Sequence, residues 1–131
     1  MLVSSLLVAL GGALGSIARF WVAEAISTYF TTDFPWGTIV ANVSGCFAIG
    51  VIAALTGDGR TVAALQSREF LMIGVLGGYT TFSSFSLQTL LLAQEGEWLR
   101  AGANVALSVV ACLVAVWLGH MVAHAAAAPS S

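Results

Sequence analysis

The sequence predicts an all-α membrane protein, four transmembrane helices in a single bundle with the third of them broken. Three observations carry this. Of the 131 residues 59% are apolar and only 8% charged, with a mean hydropathy of +0.97, far from the balance of a water-soluble domain. The apolar residues fall into four runs, each near the ~20 residues that a bilayer crossing needs. The third run carries a dense cluster of hydroxyls just after a pair of glycines, where an unbroken lipid-facing helix would have none.

Taken in order, the spans are about residues 2–26, 36–55, 70–93 and 99–122, in one domain over 1–125, with 126–131 small and polar enough to be a disordered tail. The first run has no basic stretch before it and reads as a retained span rather than a cleaved signal peptide. The connections 27–35, 56–69 and 94–98 are short, so neighbouring helices run antiparallel and no extramembrane domain is expected. Small residues recur four apart on every span, at Gly11/Gly15, Ala41/Gly45, Gly74/Gly78 and Ala111/Ala115/Gly119. Such spacing lets helix backbones approach closely in lipid. It speaks for tight packing and is silent on function.

Orientation follows the arginines and lysines of the loops. Arg60 and Arg68 lie in the second connection, Arg100 and Arg19 toward the other side, and the chain has no lysine. That near tie admits two outcomes: one weakly biased topology, or insertion both ways and pairing of the two orientations. A net charge of −2 without lysine argues against nucleic acid or an anionic lipid surface as partner.

The third span is organised around Gly74-Val-Leu-Gly-Gly-Tyr-Thr-Thr-Phe-Ser-Ser-Phe-Ser86. Tyr79, Thr80, Thr81, Ser83, Ser84 and Ser86 put six hydroxyls into eight residues. Each left unpaired in hydrocarbon costs ~4–8 kcal/mol, and non-helical backbone at that depth survives only buried in protein or lining a wet cavity. Gly77 and Gly78 mark the expected break. Phe82 and Phe85, three apart, share a face if the helix resumes. Spacing alone reads them as packing. A ring is electropositive at its edge, however, so the same pair can face an anion.

Two rows of polar residues accompany the break. Thr38 and Asn42 are one turn apart on the second span; Asn104, Ser108 and Cys112 form a row on the fourth. Intramembrane Asn is expensive and faces a partner or a path. Interhelical hydrogen bonds of ~0.6–2 kcal/mol account for Ser108 well enough; Asn42, with Thr38 beside it, fits a path better. Hydroxyl and amide donors with no charge in mid-span suit a small anion held weakly and released. Arg19 serves either as an interfacial anchor or ion-pair partner, or as an anion-attracting vestibule. His120 and His124 lack a third ligand and read as interfacial histidines. Cys46 and Cys112 read as small apolar packing residues.

Three strings, Gly11-Gly12-x-x-Gly15-x-x-x-Arg19, Gly37-Thr38-x-x-x-Asn42-x-x-Gly45 and Gly74-x-x-Gly77-Gly78-x-Thr80-Thr81-Phe82-Ser83-Ser84-Phe85-Ser86, together resemble the signatures of the Fluc (CrcB) fluoride channels. The likeness runs over the whole chain and is weakest on the fourth span, where Asn104 replaces a frequent tyrosine and Cys112 a frequent hydroxyl residue. It implies an antiparallel, dual-topology homodimer in the cell (inner) membrane with two passive fluoride pathways. It implies that Phe82 and Phe85 line them by their edges, that Asn42 donates to fluoride, and that Thr38, Ser83 and Ser108 belong to the polar track. It also implies a structural Na⁺ on the dimer axis, held by the backbone carbonyls of Gly77 and Thr80 from each subunit. Fluoride that enters as HF and ionises inside would then leave down the membrane potential.

An enzyme is not expected, since no nucleotide loop, nucleophile elbow or metal triad occurs. A small proton-coupled multidrug exporter is the rival transporter. It needs a carboxylate near the bilayer centre, whereas Glu24 and Glu69 lie at span ends. A non-transporting membrane assembly subunit is the third reading; it predicts that Phe82, Phe85 and Asn42 tolerate replacement at equal volume.

Overall fold

A computed structural model describes residues 1–57 and 61–127, and every regular element among them is helical. In chain order these are α1 (Leu2–Tyr29), α2 (Trp36–Thr56), α3 (Val62–Arg68), a π-wound segment Glu69–Leu76, α4 (Gly77–Tyr79), α5 (Phe82–Gln94) and α6 (Trp98–Ala127). Four helical stretches are long and apolar enough to cross a membrane: α1, α2, the composite run Val62–Gln94, and α6. The third begins at Val62, ahead of the apolar run at Phe70, because Thr61 caps it by accepting the Ala64 amide at 3.2 Å. At the far end α6 continues to Ala127. Arg60, counted above among the orienting charges, and residues 128–131 of the tail lie outside the described residues.

The helices pack as two parallel pairs. α1 lies along the π-wound segment and α4, while α2 lies along α6. Along α1 and the third span the register advances the same way on both members. Gly11 meets Phe70 and Gly74, and Gly15, one turn on, meets Val75 and Tyr79. In the other pair Gly50 meets Val116 and His120, and Gly119 meets Phe47 and Val51. Contact here is backbone on backbone: a Cβ at Gly74 would stand 2.9 Å from the Gly11 Cα, and one at Gly78 2.5 Å from the Gly12 carbonyl. The four-residue rows of glycine thus bring the chains to closest approach. Large apolar side chains on α1 and α6, such as Leu10, Leu14, Trp21, Val110 and Trp117, stand exposed. Facing outward, they give the bundle the surface that hydrocarbon solvates.

Candidate functional site

The third span is interrupted, two residues later than the glycine pair suggests. Gly77 and Gly78 are helical; the backbone turns extended at Thr80 (φ −85, ψ 157) and Thr81 (φ −152, ψ 119). The physical reason is that two side chains take over backbone bonds. In a continuous helix the Thr81 and Ser84 amides would bond the carbonyls of Gly77 and Thr80. Instead the Thr81 N–H donates to Asn42 Oδ1 at 2.7 Å, and the Ser84 N–H donates to Thr81 Oγ1 at 3.2 Å. Thr81 thereby caps α5.

Asn42 is the clamp. Besides accepting from the Thr81 N–H it donates Nδ2–H to the Thr81 carbonyl at 3.0 Å. Both polar groups of one extended peptide are satisfied by one side chain of another helix. Its amide orientation follows from its partners, since the oxygen must meet an N–H and the nitrogen a carbonyl. One Asn42 N–H is left uncommitted. Ser44, half a turn on, bonds the Tyr79 hydroxyl at 2.9 Å and fastens α2 to the other side of the break.

Around this clamp lies a groove of about 400 Å³ walled by α2, the third span and α6. Asn42, Thr80, Thr81, Phe82, Phe85 and Ser108 all line it, and no ionisable carboxylate or base is among its walls. The rings of Phe82 and Phe85 stand 5.2 Å apart, inclined at 51°, so they do share a face of α5. Phe85 is buried at 8% exposure, whereas Phe82 is 76% exposed and projects from the chain's surface. Ser108 is buried and donates to Asn104 Oδ1 at 3.3 Å; Asn104, 1% exposed, donates in turn to Thr89 Oγ1 at 2.9 Å. The Asn104–Thr89 bond ties α6 to α5. The Ser108 proton is therefore committed to Asn104, and the polar row on α6 acts first as an interhelical tie.

Thr38 is placed elsewhere. It lines a second cavity of about 290 Å³ with Glu24, Trp36 and Gln88. The two cavities follow one another along α2 and α5, Thr38 standing one turn before Asn42 and Gln88 one turn after Phe85–Ser84. Gln88 Oε1 is buried there without a hydrogen-bond partner. The sequence reading passed over Gln88, although an amide in mid-span is the same signal that singled out Asn42. Ser83 is exposed and shares a 3.3 Å hydrogen bond with Thr81 Oγ1, outside the walls of the main groove. Arg19 is half-buried on α1 and lines neither cavity. His120 and His124 stack at 6.1 Å, and no group of three or more His, Cys, Asp or Glu that could hold a metal occurs among the described residues.

The carbonyls of Gly77 and Thr80 are two of the four, from Gly77 to Thr80, whose helical amide partners the break removes. They are hard oxygen donors at a helix break, a set that suits an alkali or alkaline-earth cation better than a soft metal. One chain offers two of them.

Comparison with known proteins agrees in extent with this architecture. The profile of the CrcB-like protein family (Camphor Resistance, CrcB) matches residues 6–120. A protein of Rhodospirillum rubrum is 60% identical over 117 residues, 88% of this chain and 91% of its own length. Relatives from Methylocella silvestris and Opitutus terrae are 58% and 56% identical, covering 88% and 90% of this chain and 89% and 90% of theirs. All three bear the name Fluoride-specific ion channel FluC.

Proposed function

The chain belongs to the CrcB family, and on that premise we propose that it is a fluoride-specific ion channel, a multi-pass protein of the cell membrane that conducts F⁻ passively and is not an enzyme. The observation that carries the reading is the clamp of Asn42 on Thr81. It holds a helix break open at mid-span and so sets hydroxyls, a spare amide N–H and two phenylalanines on one groove free of fixed charge. Such a site binds a small anion weakly enough to let it go. Weak donors and ring edges compensate part of its hydration, and no cation traps it. Fluoride runs along the α2–α5 seam from Thr38 past Asn42, Phe85 and Phe82, with Ser83 and Ser108 at the margins of the track and Arg19 in a vestibule or anchoring role.

The working unit is an antiparallel homodimer. Phe82 supports this: a ring that walls the groove yet stands 76% exposed is completed by a second surface. The balanced arginines of the two sides allow the inverted partner to insert. Two copies would bring the Gly77 and Thr80 carbonyls to four oxygens, a fit for one structural Na⁺. When bound, that ion supplies positive charge that holds the two breaks together; the chain's own contribution is the pair of released carbonyls. The test is fluoride efflux from liposomes holding the purified protein, with chloride as the control anion. Selective fluoride release with no energy source is the expected result. Equal release of both anions, or none, refutes the proposal.

A further inference from the structure

We propose that Cys46 and Cys112 form a two-thiol seat for mercuric ion in the wall of the groove, and that filling it blocks fluoride passage. The second half rests on the channel reading above. Both cysteines are free and half-buried, and both line the same groove as Asn42, Phe82, Phe85 and Ser108. They come from different helices and are brought together by the parallel α2–α6 register. Gly50 lies against Val116 and His120; one turn earlier on each helix stand Cys46 and Cys112, and both line the same groove. One turn earlier again stand Asn42 and Ser108, so the seat lies directly along the wall from the helix break.

The chemistry of the seat selects its ligand. Thiolates favour soft metals. Zinc wants four ligands, and no cluster of three or more His, Cys, Asp or Glu occurs among the described residues. A monovalent soft ion on two thiolates would leave a net negative charge in an apolar wall, which is costly. A divalent ion of linear, two-coordinate preference leaves none, and Hg²⁺ is that ion. The step balances without electron transfer: Hg²⁺ and two thiols give a neutral bis-thiolate, two S–H bonds are exchanged for two Hg–S bonds, and two protons leave to the buffer. The metal then occupies groove volume one turn from Asn42.

The experiment titrates reduced, reconstituted protein with mercuric chloride. Bound mercury per subunit, remaining free thiols, near-ultraviolet sulfur-to-mercury charge transfer and fluoride efflux are read on the same samples. One mercury per subunit is expected, with both thiols lost together, efflux down more than tenfold and recovery on adding a small dithiol. Cys46→Ser and Cys112→Ser should each bind at least 100-fold more weakly, each compared with its own metal-free efflux, and alanine at either position should behave alike. Two mercury ions per subunit, or single variants binding within threefold of the parent, would overturn the shared seat. Stoichiometric mercury with undiminished efflux would overturn the block. Absence of efflux before any metal is added would strike the channel reading instead, and the thiol count and stoichiometry would still decide the seat.

Discussion

Replacing Asn42 by alanine tests the clamp most directly. The substitution removes two hydrogen bonds, of 2.7 and 3.0 Å, to the N–H and carbonyl of Thr81, a residue only 9% exposed. Each buried backbone group left without a partner costs about 1–3 kcal/mol, so the broken conformation loses about 2–6 kcal/mol. Even the lower figure shifts a two-state equilibrium about 30-fold, at 1.4 kcal/mol per tenfold. The chain has a ready escape. The Thr81 amide can return to the Gly77 carbonyl and close the helix through the break, dismantling the groove and reclaiming one of the carbonyls released there. Asn42→Ala should therefore lose fluoride efflux in liposomes by at least tenfold, and hydrogen exchange at the Thr81 amide should change markedly from that of the parent. The two readouts belong together. Near-normal efflux with unaltered exchange at Thr81 would show that Asn42 does not hold the break, and the reasoning would fail.

Other substitutions probe the remaining parts. Phe82→Ile or Phe85→Ile should cut fluoride efflux sharply while the protein still elutes at the parent's position, because the ring edges vanish at little cost in apolar volume; efflux close to normal in either would remove the rings from the track. Gly15→Ala puts a Cβ onto the Val75 carbonyl, with the Tyr79 amide also only 2.9 Å away, and backbone on both sides cannot yield. It should reduce the thermal stability of the purified protein clearly, whereas Gly102→Ala, with open space around it, should not. Three lysines added to the connection between α2 and α3 should fix one orientation and impair antiparallel pairing, read by accessibility of tagged termini and by efflux. Unchanged dual insertion with full efflux would refute the pairing.

Much of this molecule was legible from its residues because lipid imposes a simple rule. Every buried polar backbone group must find a partner within the protein, so long apolar runs can only be helices, and a knot of hydroxyls inside one marks a place where the helix is disturbed. Small-residue spacing announced the close α1 contact at Gly11 and Gly15. Asn42 stood out for its cost in hydrocarbon. Where the chain actually parts was another matter. Gly77 and Gly78 are the local weak points, yet they remain helical, since glycine permits a break without compelling one. Thr80–Thr81 gives way because a side chain from α2, 39 residues distant, bonds both ends of the Thr81 peptide. Likewise Ser108 and Asn104 share a turn in sequence, but only the packing of α6 on α5 turns them into a tie to Thr89.

By itself, then, the sequence determined the number of spans, the span that is broken, and the polar and aromatic side chains gathered at the break, because each follows from hydrophobicity, period and the price of burying a polar atom. Only the tertiary structure decided which peptide opens, which carbonyls it frees, that Thr38 and Asn42 stand on successive cavities, and that Cys46 and Cys112 line one groove. Those outcomes depend on register between helices far apart in the chain, and the register is set by backbone contacts at glycine that no single helix specifies alone.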